Sequence, residues 1–115
     1  MVADESPGVS GLATVGVPMP SPISGLALAP AAPNPFRGEV RIDYTLPNPG
    51  RVRITIHDVS GRTIATLVDA VQSAGSQVAY WSGSDASGRP APAGVYVLRL
   101  GSGGTTLRRR ITRIP

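Results

Sequence analysis

The residues able to do chemistry are few, and their spacing keeps them apart. The chain has one histidine, His57, followed directly by Asp58. A nucleophile–histidine–carboxylate relay needs the acid hydrogen-bonded to the imidazole. Neighbours along a strand point to opposite faces, so His57 is expected on the solvent phase of its strand, with Asp58 turned away from it. Paired carboxylates of the kind a glycosidase uses would have to come from Asp43, Asp58, Asp69 and Asp85. These lie on separate stretches, and nothing fixes their separation. Asp85-Ala86-Ser87-Gly88 offers a carboxylate and a hydroxyl to a cation, but calcium takes roughly 6 to 8 oxygens and no second acid is near. The better reading is an Asx-type turn in which Asp85 accepts backbone amides. Neither a catalytic set nor a metal or cofactor site is expected, and the chain is expected not to be an enzyme.

Two further groups carry functional character. Trp81 and Tyr96 could form an aromatic shelf for a sugar, but the strand pattern points both inward, where large aromatics dominate core energetics. Arg108-Arg109-Arg110 is the more suggestive feature. On a strand its members alternate, so Arg109 shares a phase with Leu107 and Ile111 while Arg108 and Arg110 face water. Such charges either block strand addition at a sheet edge or meet an acidic receptor surface.

Composition narrows the classes. A chain of 115 residues builds one compact domain of ordinary size. Its 14 Gly and 12 Pro exceed a fifth of the residues, yet apolar alternation after residue 38 assigns them to turns rather than to low complexity. Cysteine is absent, which removes disulfides, thiolate metal sites and cysteine nucleophiles. The formal charge of +4 comes from arginine without any lysine, so intramolecular lysine–asparagine crosslinks are excluded as well. A basic balance can indicate nucleic acid, but aromatics are only 4% and do not interleave with the arginines, so no nucleic-acid partner is expected. No run approaches the roughly 18 apolar residues of a membrane helix. Met1-Val-Ala-Asp-Glu5 lacks the basic start and apolar core of a signal peptide, so if the protein is exported its signal lies upstream in a longer parent, or the chain is a piece cut from one.

The elements that must position these residues are strands. Residues 1–25 are rich in Pro, Gly and Ser, the composition of a linker or extended arm. Within them Gly11 to Val17 is an apolar run whose Leu12, Val15 and Val17 could add a strand to a neighbouring subunit. Residues 26–115 form the folded unit. Leu26 to Pro30 reads as a short edge strand, and Phe36 as a cover for the bottom of the core. Glu39 to Leu46 alternates without a fault, with Val40, Ile42, Tyr44 and Leu46 inward. Arg51 to Asp58 repeats the pattern with Val52, Ile54 and Ile56.

Val59 to Arg62 is a tight turn, and Thr63 to Asp69 the next strand. There Ile64 and Leu67 fall on opposite parities, which predicts a bulge or a two-sided strand. Ala70 to Gly75 is expected as a loop, Gln77 to Trp81 as a strand, and Val95 to Leu100 as a strand with Tyr96, Leu98 and Leu100 in phase. Gly101 to Gly104 turns the chain into a final strand, Thr105 to Ile114. About seven strands separated by turns at sandwich spacing predict an all-β, single immunoglobulin-like antiparallel β-sandwich centred on Trp81.

The ordered pieces Asn34-Pro35-Phe36, Ile42-x-Tyr44-x-Leu46-Pro47, Asp58-Val59-Ser60-Gly61-Arg62, Trp81-x-Gly83-x-Asp85 and Ala93-Gly94-Val95-Tyr96 resemble a known family. They are similar to the immunoglobulin-like module of the flagellar hook-capping protein and to type A carboxy-terminal sorting domains of the type IX secretion system. The resemblance covers roughly residues 30 to 114. It implies a seven-stranded sandwich at the C-terminus of exported proteins, recognised by outer-membrane machinery, with basic residues among apolar ones in the last strand.

From that resemblance the expected role is secretion sorting and cell-surface anchoring through protein partners, at an extracellular or cell-surface location and with no small-molecule substrate. The expected partner-binding residues are Leu107, Arg108, Arg109, Arg110, Ile111 and Arg113. The alternative expectation is a structural subunit of an extracellular assembly or filament, a homo-oligomer built by donation of the N-terminal arm.

Overall fold

A computed structural model describes residues 25–115. The proposed arm, including Leu12, Val15 and Val17, lies outside the described residues. Seven strands follow in chain order: β1 Ala27–Leu28, β2 Val40–Leu46, β3 Gly50–Asp58, β4 Thr63–Gln72, β5 Gly75–Trp81, β6 Gly94–Ser102 and β7 Thr105–Arg113. They form two antiparallel sheets, β1-β2-β5 and β4-β3-β6-β7, packed face to face. The all-β immunoglobulin-like sandwich expected from the alternation is the fold observed, with no helix among the described residues.

The inward phases supply the core. Val40 and Ile42 from one sheet and Val52, Ile54, Ile56, Leu98, Leu100 and Ile111 from the other are each 0% exposed. Burying one such side chain contributes about 1.5–3 kcal/mol. Trp81 sits among them at 2% exposure, with its ring centroid 5.4 Å from Phe36 and 5.1 Å from Tyr96. Its indole N–H donates to the Ser84 carbonyl at 2.8 Å, so the polar edge of the ring is satisfied inside. The Tyr96 hydroxyl donates to the Pro92 carbonyl four residues upstream, the local tie that fixes strand entry in many sandwiches.

Register explains the irregular strand. Between β3 and β4 the pairs are His57↔Thr63, Ile56↔Ala65, Thr55↔Thr66 and Ile54↔Val68, with two register shifts. Ile64 and Leu67 are the residues skipped. Each is therefore the extra residue of a bulge, and this is why the two break parity yet both pack against the core.

Among the strand boundaries that differ from expectation, two follow one rule. Strand β4 runs through residues expected as loop, because Ala70, Val71 and Gln72 continue to pair with Val52, Arg51 and Gly50. Strand β5 begins two residues early at Gly75, which pairs with Leu46. In both cases backbone pairing outlasts the apolar alternation.

Two turns share one sequence pattern, Asp-x-Ser-Gly-Arg. In the first, Asp58 Oδ1 accepts the amides of Ser60 and Arg62, both at 3.0 Å, and the Ser60 hydroxyl at 2.6 Å. In the second, Asp85 Oδ1 accepts the amides of Ser87 and Arg89 at 2.9 and 3.0 Å and the Ser87 hydroxyl at 2.6 Å. Gly61 and Gly88 take φ of 92° and 90° at the same place in each, a conformation that favours glycine. The second turn docks on the first hairpin through Ala86 N–H to the Ile64 carbonyl at 2.9 Å.

Candidate partner-binding surface

Strand β7 carries all six residues expected to meet a partner, and alternation divides them. Ile111 is fully buried opposite Tyr96, and Leu107 is half-buried opposite Leu100. Arg109 lies in phase with them, but its guanidinium leaves the core and crosses to the other sheet. Its Nε donates to the Leu28 carbonyl on β1 at 3.0 Å, and Nη2 donates to the same oxygen. Long basic side chains can cover apolar surface in this way while the head finds polar partners. Arg109 thereby laces the open side of the sandwich. Arg113 is half-buried against Gly83, where an added Cβ would sit 2.5 Å from Arg113 Nε. A φ of 80° favours glycine there, and the missing Cβ leaves room for the Arg113 side chain.

Arg108 and Arg110 face outward, away from the core. Opposite them on β6 stand Arg99 and Val97, and across β6 lies β3 with Thr55↔Arg99 and Arg53↔Gly101. The outer face of this sheet thus gathers Arg51, Arg53, Arg99, Arg108 and Arg110 against one carboxylate, Asp69. That excess of four equals the +4 of the whole chain, since the remaining six arginines are matched by six acids. Arg51 Nη2 is 2.7 Å from Asp69 Oδ1, so the carboxylate is taken. The other four arginines have no ion-pair partner among the described residues. Arg53 and Arg99 were not singled out as site residues from sequence. Their polar phase is readable there, but the register that brings them beside β7 is not.

An open groove of about 300 Å³ crosses this face, lined by Arg53, Arg99, Thr55, His57 and Thr106 among others. Gly101 stands opposite Arg53 and adds no side chain, which leaves the groove its depth. The structure corrects the exposed His57 expected from alternation: His57 lies on the outer phase but is only 7% exposed. Its Nε2 is 2.7 Å from Thr55 Oγ1, and its Nδ1 lies 3.3 Å from both the Gly61 carbonyl and Thr63 Oγ1. Strand β3 is central in its sheet, so neighbouring side chains on β4 and β6 cover the ring.

One edge of β7 is partly closed. The Asn34 side chain donates to the Arg110 carbonyl and accepts from the Thr112 amide, both at 3.0 Å. Phe36 then exchanges backbone bonds of 2.9 Å with Thr112 and Ile114. Antiparallel alternation directs the backbone groups of Thr106 and Arg108 to the same side, beyond the reach of this cap.

The other candidate groups resolve into structure. Asp85 Oδ1 is fully engaged in its turn, and no group of three or more His, Cys, Asp or Glu side chains is placed to hold a metal among the described residues. The Ser60 hydroxyl first, then the backbone amides and Arg62, hold the Asp58 carboxyl below the usual range. Ser87 and the Arg89 amide do the same for Asp85. Burial pushes the hydroxyls of Tyr44 and Tyr96 upward, countered at Tyr44 by its bond to Gln72. Trp81 and Tyr96 are core, and Tyr80 on the opposite sheet is the exposed aromatic at 52%.

The two packed sheets define an immunoglobulin-like module. Residues 34–104 match the model of the FlgD Ig-like domain, and the chain belongs to that family, a non-enzymatic structural fold. Two solved structures share the fold. PorZ of Porphyromonas gingivalis, an essential bacterial surface component of the type-IX secretion system, is 19% identical with a TM-score of 0.52 over 79% of this chain and 12% of its own. The alkylpurine DNA glycosylase AlkC of Pseudomonas fluorescens, bound to DNA containing an abasic site analog, is 15% identical with a TM-score of 0.51 over 80% of this chain and 32% of its own. The chain therefore spans only a fraction of either protein. No curated protein matches it by sequence.

Proposed function

We propose that this chain is a non-enzymatic module for secretion sorting and cell-surface anchoring, recognised by protein machinery at the outside of the cell through β7. The observation that carries this reading is the outward pair Arg108 and Arg110, which has no ion-pair partner among the described residues, beside the backbone of Thr106 and Arg108, which the Asn34–Phe36 cap does not reach. Membership of the FlgD Ig-like family and the shared fold with a surface component of the type-IX system support it. On this reading Arg108 and Arg110 touch the partner, while Leu107, Arg109, Ile111 and Arg113 hold the strand in place.

Removing β7 would not test the idea, because Ile111 is part of the core. The test is a cargo protein fused ahead of residues 1–115 and carrying R108Q/R110Q. Trapping of this fusion in the periplasm, with an unchanged melting curve of the purified module, is the expected result. Secretion at the wild-type level rejects the proposal.

A second reading is a subunit that assembles by donating the arm containing Leu12, Val15 and Val17 to a neighbour's sheet edge. The exposed Val78 and Tyr80 on edge strand β5 favour it. Light scattering on the full chain and on a chain starting at Leu26 decides the matter: monomers in both cases exclude strand donation.

A further inference from the structure

We infer that the recognised feature is wider than β7: the outer face of β3, β6 and β7 is a docking surface for an acidic polypeptide segment, seated over the groove between Arg53 and Arg99. The inference rests on the reading of β7 as a recognition element and names the chemistry of its partner.

Register supplies the first reason. Arg99 and Arg108 are direct cross-strand partners, and like charges placed directly opposite destabilise a sheet. Arg53 lies diagonally from Arg99, and Arg110 two residues along β7 from Arg108. Four guanidinium groups thus share one patch, while the single carboxylate on the face is held by Arg51. Among the described residues the only offsetting charge on this face is Asp69, which stands opposite Arg53 on β4 but is held by Arg51, whereas carboxylates from outside would offset the rest, because the planar guanidinium fork pairs with carboxylate through two parallel hydrogen bonds.

The chemistry of the face selects among anions. Recognition of single-stranded nucleic acid relies on aromatic platforms for base stacking, but the outward positions on these strands are arginine, threonine, valine, histidine and glycine. The aromatic side chains of β5 and β6 are elsewhere: Trp81 and Tyr96 in the core, Tyr80 on the other sheet. A polypeptide needs no stacking platform. It can also use the outward backbone groups of Thr106 and Arg108 as a first point of strand addition. The thr-rich floor, Thr55, Thr63 and Thr106, adds hydroxyls that hydrogen-bond either to carboxylate or to peptide groups.

The test uses the purified full chain and a fluorescein-labelled twelve-residue peptide of alternating Glu and Ser, read by anisotropy at physiological salt. Competitors are the alternating Gln/Ser peptide, a twelve-nucleotide single-stranded DNA and a sulfated dodecasaccharide. R53Q/R99Q is compared with R62Q/R89Q, which removes the same formal charge from the turn region. The expected result is binding of the Glu peptide that R53Q/R99Q weakens about tenfold more than R62Q/R89Q does, as loss of two arginine–carboxylate pairs implies. Equal weakening by both variants would mean attraction to net charge alone and overturns the inference. Stronger competition by the DNA or the saccharide than by the Glu peptide, or absence of binding, overturns it too.

The two readings can fail separately. A cargo fusion carrying R53Q/R99Q that is secreted normally, while R108Q/R110Q is trapped, removes the wider face and keeps β7. Peptide binding that depends on Arg53 and Arg99, alongside secretion indifferent to all four arginines, does the reverse.

Discussion

The two faces of the β4-β3-β6-β7 sheet are made by the same strands and obey opposite rules. Inward, Ile54, Ile56, Leu98 and Leu100 are each 0% exposed and fill one continuous core. Outward, the residues between them are Arg53, Thr55, His57 and Arg99, and neither arginine forms an ion pair among the described residues. Apolar burial explains these four inward choices and their match to the pleat. It explains none of the outward ones. A face with an excess of four positive charges that places two arginines directly opposite one another gains no stability from that placement.

The largest effect should separate adjacent residues of one strand. Leu98→Ala removes a fully buried side chain and should cost about 2–5 kcal/mol of unfolding free energy, enough to threaten a domain of this size. Arg99→Ala, the next residue, should change stability by no more than about 0.5 kcal/mol and weaken binding of the acidic peptide. Chemical denaturation of both variants checks the contrast. A stability loss at Arg99 similar to that at Leu98 would erase the distinction between the faces.

A middle-sized effect sharpens the comparison at the one place where the outer face is buried. Thr55→Val keeps the shape but leaves His57 Nε2 without the 2.7 Å partner it has now. A buried polar atom stranded in this way costs about 1–3 kcal/mol. Thr66→Val, at the exposed partner position on β4, should fall within about 0.5 kcal/mol. Equal effects at the two threonines would show that the hydrogen bond to His57 contributes nothing measurable.

How far all this could be read from the sequence follows from the range of the interactions involved. Alternation at Val40, Ile42, Tyr44 and Leu46 is local and strict, so it identifies the strand and its buried face without any knowledge of neighbours. The parity break at Ile64 and Leu67 is equally local, and it marks a bulge. The Asp85 turn is visible because its donors lie within four residues. His57 was misplaced because burial on an outer face depends on being in a central strand, and strand order is not encoded in periodicity. The arginine cluster stayed hidden for the same reason. Arg53, Arg99 and Arg108 are neighbours only through two registers, β3 with β6 and β6 with β7, while the contiguous triplet that drew attention splits, with Arg109 bound to Leu28 on the opposite sheet.

The smallest effect comes from acid, and it bears on neither face directly. Among the described residues Asp58 and Asp85 are the carboxyls held below the usual range, and both sit in turns rather than on a sheet surface. A folded-state value lowered below the unfolded one means that the charged form is favoured by folding. The associated stability is fully present above the unfolded value and is lost as pH falls through the folded one. The melting temperature should therefore hold level from neutral pH down to about 4 and decline only below it. Asn in place of either aspartate keeps an oxygen acceptor for the Ser and Arg amides but does not titrate. D58N/D85N should start slightly less stable than the parent at neutral pH and converge with it in acid. Parallel curves for parent and variant would mean that acid acts through the sheet surfaces after all, and that the turns are not where the fold responds to protons.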